Sequence, residues 1–439
     1  MRTRRATFLA TRAVGCFLLA AAVPLTAQER DVVLGLREVA RPLADSAALF
    51  RTLGAAAQRA RVIGLGEATH GQHEAFDLKR RLTMALIRSH GVRVVAYEAS
   101  ASRARRIDEW IQGGPGNLPE VMGGFGMLIW SIEENADLLR DLRAWNARAA
   151  ATDRVRFIGV DAQDGEAVAG RLRQLLGPTR ASLADRIDTL VARSTAVTQR
   201  LYQGQRGGFD SLQVEVAGVR RTLRALETNH PEHRELSWRA AELQAHLGMF
   251  GTAGGRDRAM AELLLAQLAP GERAVLWAHN GHIKRSALDF MGTTDLAMGG
   301  HLAEALRDGY YAVGFAFGSG GFQANAPDSS GRWGYRRYQH QAPAMGSLEA
   351  TLAAASLGDF FVDLRALRTG TPLELWMRAP HGHRWWGGYN VPDDADARTR
   401  DASQLMPMVP SRDYDGLVFH VRTTPATPVD RTRILPSRP

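Results

Sequence analysis

Short apolar runs alternate with amphipathic helical patterns along most of the chain. The runs predicted to be strands cover residues 62–65, 92–97, 155–160, 274–278, 311–317, 360–364 and 416–421. Between the first two, Leu78, Leu82 and Leu86 form one apolar stripe with helical spacing, which predicts a helix over 74–89. This alternation predicts an α/β fold with a layered, largely parallel sheet flanked by helices.

One stretch interrupts the alternation. Residues 168–268 contain helical patterns, such as 183–191 and 216–226, and no strand pattern. We therefore expect an inserted helical lobe at 168–268, between a first part of the α/β core at 28–167 and a second part at 269–422. Residues 319–346 are rich in Gly, Ser and aromatic residues and are predicted to be a long loop, and residues 423–439 a loose C-terminal tail.

The first 27 residues have the organisation of a secretory signal peptide. Arg2, Arg4 and Arg5 precede an apolar stretch at 13–23, and the segment ends in the small residue Ala27. The apolar stretch is shorter than the roughly 20 residues of a membrane-spanning helix. A cleaved signal is thus favoured over a membrane anchor, and the mature protein is predicted to be periplasmic or secreted and free of the membrane.

Composition excludes several functional classes. The formal charge of +9 would fall to +5 after signal removal, and the basic residues are spread along the chain instead of clustering with aromatic residues. Nucleic-acid binding is therefore not indicated. Cys16, the single cysteine, lies in the predicted signal. The mature chain would then have no disulfide, thiolate metal site or cysteine nucleophile. Nothing in the sequence indicates an oligomeric state.

Ionisable side chains follow four of the predicted strands. In chain order they are Glu67 and His70, then Glu98, then Asp161, then His279 and His282. Because the carboxyl ends of parallel strands meet at one edge of a sheet, we expect these side chains to share a cleft. Carboxylates that orient imidazoles and tune their pKa are typical of general acid–base catalysis.

Metal binding is a second hypothesis for the same residues. His70 and His73, and likewise His279 and His282, have the spacing of metal ligands, with carboxylates nearby. A metal-dependent hydrolase that binds a divalent ion through these pairs is therefore an alternative. A non-catalytic ligand-binding protein on the same fold is a third hypothesis. The sequence contains neither a serine nucleophile elbow nor a phosphate-binding loop of the Walker type.

Several motifs, in order from about residue 40 to residue 426, resemble the erythromycin esterase family. They are Gly66-Glu67-Ala68-Thr69-His70-Gly71, Phe76-x-Leu78-Lys79, Ala96-Tyr97-Glu98, Trp130 with Glu134, Phe157-x-Gly159-x-Asp161, Arg256-Asp257-x-x-Met260-Ala261, His279-Asn280-x-His282 and Tyr414-Asp415-x-Leu417. The first motif is the most specific of the set, and the later ones gain weight from their order.

The resemblance implies a layered α/β fold with a helical lobe and a hydrolase of carboxylic esters, which the predicted signal peptide would make an exported protein. Its substrate would be a small-molecule ester, either a macrolide-like lactone, as in members that confer antibiotic resistance, or a related ester. Hydrolysis would proceed without a cofactor and without a covalent intermediate. His70 would be the general base, Glu67 and Glu98 would orient it and the attacking water, and His279 and His282 would complete the catalytic residues.

Three further residues are predicted to contact the substrate: Lys79, Asp161 and Arg256. Lys79 is one of only two lysines, against 53 arginines, and follows the Glu67–His70 loop on the predicted helix. Helical side chains lean toward the helix N-terminus, so the ammonium is expected to balance the carboxylates or to bind a developing oxyanion. A solvated helix face is the alternative reading of Lys79.

Overall fold

Strands and helices alternate in this computed structural model, which describes residues 26–44, 46–202, 209–227, 232–249, 254–289, 292–388 and 405–435. The strands of these residues are β1 (Arg41–Pro42), β2 (Val62–Leu65), β3 (Val92–Ser100), β4 (Arg156–Asp161), β5 (Arg273–Trp277), β6 (Tyr310–Pro327), β7 (Trp333–His340), β8 (Phe360–Asp363), β9 (His381–Arg384), β10 (Leu405–Met408) and β11 (Gly416–Thr423). Each of the seven predicted strands overlaps one of them.

The α-helices fill most of the intervals between these strands. They are α1 (Ala27–Val39), α2 (Ser46–Ala57), α3 (His73–Ser89), α4 (Ala104–Ile111), α5 (Leu118–Met122), α6 (Glu133–Asn146), α7 (Gly165–Leu176), α8 (Ala181–Tyr202), α9 (Phe209–Glu227), α10 (His233–Gly248), α11 (Gly255–Gln267), α12 (Asn280–Ile283), α13 (Met298–Leu306), α14 (Leu348–Ala354), α15 (Pro372–Met377) and α16 (Pro410–Asp413). No helix in the described part of the chain is long and apolar enough to span a bilayer.

A large mixed sheet forms the centre of the molecule. Its strand order is β1-β8-β11-β6-β2-β5-β3-β4, and β7 pairs with β6. The strands from β11 to β4 along this order are parallel, whereas β1, β8 and β7 pair antiparallel. The predicted layered, largely parallel α/β fold is confirmed.

Successive residues of the central strands point to opposite faces of the sheet. On β2, Ile63 joins one apolar cluster and Val62 the other. On β5, Val275 and Leu276 divide in the same way. Helices α3 and α6 cover the first face, and α1, α11 and α13 cover the second. Burial on both faces explains why these strands read as continuous apolar runs.

Between β4 and β5 the described residues contain helices α7 to α11 and no strand. Helices α7 to α10 share an apolar cluster of their own, with Leu172, Leu190 and Leu243 among its members. Helix α11 differs, because Met260 and Leu264 pack against the main sheet. The separate helical cluster therefore ends before α11.

The predicted long loop at 319–346 is instead a β-hairpin. Strand β6 continues to Pro327 and pairs in antiparallel register with β7. Phe322 faces Tyr338 across the pair, with stacked rings whose centroids are 5.3 Å apart. Cross-strand aromatic pairs stabilise a sheet. The loop prediction was wrong because the many glycines and polar residues in this segment hid the alternation of inward and outward side chains that marks a strand.

The predicted loose tail also differs from what is observed at residues 423–435. Thr423 ends β11, and Ala426 is fully buried. The backbone N–H of Ala426 donates to the carbonyl of Gly71 at 2.9 Å, and that of Thr427 donates to Glu134 at 3.1 Å. This segment is therefore held against the starts of α3 and α6 by hydrogen bonds that its backbone N–H groups donate.

Candidate active site

The loop after β2 carries the first pair of functional side chains. Glu67 is fully buried, and its Oε1 lies 3.1 Å from Nδ1 of His70. Gly71 follows, and a Cβ there would lie 1.8 Å from the backbone oxygen of Gln323. Only glycine permits this approach, so Gly71 holds the loop against β6. The pair forms a carboxylate–imidazole dyad in which Nε2 of His70 is left for chemistry.

Lys79 lies behind Glu67 and is fully buried. Its ammonium contacts Oε2 of Glu67 and lies 4.1 Å from the ring centroid of Phe76 and 4.6 Å from that of Trp277. Burial alone would raise the pKa of Glu67, but Lys79 and His70 outweigh burial and lower it. Burial lowers the pKa of Lys79, and Glu67 offsets only part of that effect. Glu67 is therefore held ionised beside His70.

Glu98 lies within β3 and not beyond its end, because the strand continues to Ser100 through a register shift. Its Oε2 accepts the backbone N–H of His279 at 2.9 Å, and its Oε1 accepts from Arg256 at 2.9 Å. Burial would raise the pKa of Glu98, but His282 and Arg256 hold it well below its ordinary value of 4.5. Glu98 is thus a fixed anion.

His279 has both ring nitrogens engaged with the backbone. Nδ1 accepts the N–H of Gly281 at 3.2 Å, and Nε2 lies 3.0 Å from the carbonyl oxygen of Trp386 and 3.4 Å from that of Ala68. These partners fix the tautomer with the proton on Nε2. Burial first and the neighbouring His70 second lower the pKa of His279 to about 3. The ring is therefore neutral over the ordinary pH range.

His282 has the opposite electrostatic environment. Its Nδ1 lies 2.8 Å from Oδ1 of Asp257, and its Nε2 lies 3.4 Å from Oε1 of Glu98. Burial would lower the pKa of His282, but Asp257 and Glu98 outweigh it and raise the pKa. Arg256 lies beside this imidazole and also pairs with Asp161 at 2.8 Å. The Arg256 guanidinium and an imidazole with a raised pKa thus converge near Glu98.

These side chains surround a cavity of about 760 Å³. Its lining combines aromatic and apolar side chains with charged ones. The lining residues are His70, Glu98, Ser100, Arg103, Gly126, Met127, Ile129, Trp130, Asp161, Gln163, Asp164, Arg256, His279, Gly281, His282, Trp385 and Gly387. A volume of this size is typical of small-molecule sites.

Most of the predicted site residues meet at this cavity. The lining includes His70, Glu98, His279, His282, Asp161 and Arg256. Glu67 lies behind His70. The prediction that Lys79 contacts the substrate is not met, because Glu67 separates its fully buried ammonium from the cavity. The alternative of a solvated helix face is excluded by the same burial.

Sequence reasoning missed part of the cavity wall. Trp385 and Gly387 come from the segment after β9, and Met127 and Ile129 from the segment before α6. The signal in the sequence was the unusual run of two tryptophans and two glycines at residues 385–388. Arg103 and Asp164 also line the cavity and form an ion pair, and no sequence pattern marked them.

The predicted histidine pairs do not form a metal-binding set. Nδ1 of His73 contacts Oε1 of Glu134 at 2.7 Å, outside the cavity lining, and both nitrogens of His279 bind the backbone. Among the described residues, Glu67, His70 and Glu98 are the set whose ligand atoms lie within 4.8 Å of one another. Lys79 and Arg256 already neutralise those carboxylates, so this set fits a divalent cation poorly.

The sequence is similar to erythromycin esterases. A family model described as erythromycin esterase matches residues 87–424. Erythromycin esterase type II of Escherichia coli is 24% identical over 344 residues, which is 70% of this chain and 81% of the relative. Erythromycin esterase type I of Escherichia coli is 23% identical over 299 residues, 61% of this chain and 72% of the relative. The family match begins after the Glu67–His70 loop.

Solved structures share the fold. A Bacillus cereus protein superposes with a TM-score of 0.74 at 22% identity and covers 92% of this chain and 100% of its own. A mutant of the erythromycin esterase EreC in its open conformation superposes with a TM-score of 0.63 at 17% identity, over 85% of this chain and 93% of its own. At these identities the likeness concerns the fold alone.

Proposed function

The chain belongs to the erythromycin esterase family, and on that premise we propose that it hydrolyses a carboxylic ester by activating water at His70. The substrate we propose is a lactone, macrolide-like or related. The observation that carries the proposal is the Glu67–His70 dyad at the cavity. Within the described residues, no hydroxyl or thiol side chain hydrogen-bonds to this imidazole, which favours water as the nucleophile over a covalent intermediate.

The dyad determines where the protons move. Glu67 accepts Nδ1–H of His70, so Nε2 has a free lone pair. Nε2 takes a proton from water while the water oxygen attacks the ester carbonyl carbon, which gives a tetrahedral oxyanion. Collapse of that species breaks the bond to the alkoxy oxygen, and the leaving alkoxide takes the proton back from Nε2. A lactone would open to a hydroxy acid.

Charged groups at the cavity are placed to assist both the attack of water and the formation of the oxyanion. Glu98 is held as an anion near His70, where it orients the attacking water. Arg256 and His282 line the same cavity, and the raised pKa of each favours the cationic form. Cations fixed before reaction stabilise developing negative charge on the carbonyl oxygen. Arg256 and His282 are therefore assigned to the oxyanion.

The experiment is a panel of lactones and aryl esters assayed with wild type, His70→Gln and His73→Gln. Loss of a general base costs about 10²–10⁴ in rate, so His70→Gln should lose that factor in kcat. His73 is the matched control, because it is half exposed and contacts Glu134 instead of the cavity. Turnover by His70→Gln within tenfold of wild type would contradict the assignment.

The same panel separates the alternatives. Turnover that is lost on chelation, in protein containing about one metal ion per chain, would favour the metal-dependent hydrolase. Ligand binding with no turnover of any ester would favour a non-catalytic binding protein.

We also propose that the protein is exported, on the basis of the basic, apolar and small-residue order of residues 1–27. Residues 1–25 lie outside the described part of the chain, Thr26 is the N-cap of α1, and the helix begins at Ala27. Cleavage after Ala27 would leave Gln28 as the first residue of the mature chain. N-terminal sequencing of protein from an exporting host tests this, and an intact Met1 would reject it.

A further inference from the structure

We propose that Trp385, facing the cavity with Trp130, forms an aromatic wall that selects esters by the bulk of the apolar group next to the scissile carbonyl. We propose further that His279 is a positioning residue for Trp385 and does not transfer protons. Both statements rest on the proposed ester hydrolysis. They assign a role in substrate selectivity to residues 385–388, which contribute no ionisable group to the reaction.

Four rings form a continuous row along the cavity. The centroid of Trp130 lies 4.5 Å from that of His70, His70 lies 5.0 Å from His279, and His279 lies 4.4 Å from Trp385. All four residues line the cavity. In this row the proposed base lies between Trp130 and His279, and Trp385 lies on the far side of His279. We infer that an ester bound at His70 places the carbons next to its carbonyl along this row of rings.

Glycines permit this close arrangement. A Cβ on Gly281 would lie 2.1 Å from the ring of Trp385. A Cβ on Gly388 would lie 2.8 Å from Cδ2 of His70. Any larger residue at either position would push the wall away from the dyad. Because neither glycine has a side chain, Trp385 can pack directly against Gly281, and His70 against Gly388.

Backbone hydrogen bonds anchor the segment that carries Trp385. The N–H of Trp386 donates to the carbonyl of Ala68 at 3.1 Å, and the carbonyl of Gly388 accepts from the N–H of Asn325 at 2.8 Å. His279 supplies the third anchor through its hydrogen bond to the carbonyl of Trp386. Because this bond and the one from Gly281 occupy both imidazole nitrogens, His279 has no nitrogen available for a proton from water.

The test uses two aryl esters with the same leaving group, p-nitrophenyl acetate and p-nitrophenyl cyclohexanecarboxylate. The measured quantity is the ratio of kcat/KM for the bulky ester to that for the small ester. One methylene in an apolar pocket changes specificity by roughly tenfold or more, so Trp385→Ala should lower the ratio at least tenfold. Trp385→Phe should retain most of the selectivity. Trp333→Ala is the matched control, because Trp333 is 43% exposed on β7.

A double-mutant cycle tests the role of His279. His279→Ala should lower the ratio in the same direction as Trp385→Ala, and the double variant should lower it no further. The apparent pKa values of the pH–rate profile on the small ester should stay those of wild type. An unchanged kcat/KM ratio in Trp385→Ala would contradict the proposed aromatic wall. Loss of one limb of the pH–rate profile in His279→Ala would show that His279 transfers a proton.

Failure of the proposed function gives a different result. If wild type hydrolyses no ester, the affinity for the bulky ester, measured by calorimetry, still tests whether Trp385 contacts its apolar group. Binding weakened in Trp385→Ala and unchanged in Trp333→Ala supports it, and equal binding in both variants overturns it.

Discussion

Replacing Lys79 by methionine tests the electrostatic basis of the site. Methionine keeps most of the side-chain volume between Phe76 and Trp277 but removes the ammonium that contacts Glu67. Glu67 would then be a fully buried carboxylate whose remaining polar partner is His70. We expect the variant to be less stable and less active than wild type.

The magnitude follows from the burial of both partners. Removing one member of a buried ion pair costs about 3–5 kcal/mol, because the other charge is left uncompensated. The free energy of unfolding of a whole protein is typically about 5–15 kcal/mol. The loss should therefore be large and still compatible with folding. Lys79→Arg should not be silent either, since overpacking a filled core costs about 1–3 kcal/mol.

The pH dependence separates a charge effect from a packing effect. In wild type the pKa of Glu67 lies below 4.5. Without Lys79, burial dominates and raises that pKa above its value in the unfolded chain. The unfavourable charge is then present above the raised pKa and disappears as Glu67 is protonated. The stability deficit of Lys79→Met should therefore shrink between pH 8 and pH 5.

Urea unfolding followed by tryptophan fluorescence at the two pH values measures the deficit. The double variant Glu67→Gln with Lys79→Met is the matched control, because it removes both charges and should recover at least half of the lost stability at pH 8. A deficit that is equal at pH 8 and pH 5, or one below about 1 kcal/mol, would refute the ion-pair reasoning.

Two further predictions concern Glu98 and Gly281. Glu98 has a folded-state pKa below 4.5, so its stabilisation is present above pH ~4.5 and is lost as the pH falls through the folded pKa. The difference in melting temperature between wild type and Glu98→Gln should thus narrow as the pH is lowered below ~4.5, and a difference that stays constant there would contradict this. Gly281→Ala should displace Trp385 and lower the selectivity for bulky esters, measured with the two aryl esters above. Gly170→Ala, where a Cβ meets no atom within 4 Å, should leave the selectivity unchanged.

Local sequence patterns were sufficient to predict the sheet and to predict that the ionisable residues lie close together. Apolar runs that alternate with helical patterns imply parallel strands, and parallel strands bring their carboxyl ends to one edge. That is why His70, His279 and Asp161 were expected in one cleft and are found there. The hairpin at β6 and β7 escaped this reasoning, because its register depends on pairing with β11 and with its own return strand.

The surroundings of those residues were decided by tertiary structure. Whether Lys79 is solvated or buried depends on Phe76 and Trp277, and Trp277 comes from a strand almost 200 residues away. Whether His279 offers a free nitrogen depends on the carbonyl of Trp386, which a distant segment supplies. Sequence spacing determines which edge of the sheet a side chain reaches. Its partners, its burial and its pKa come from segments that meet only in the folded chain, so no local pattern contains them.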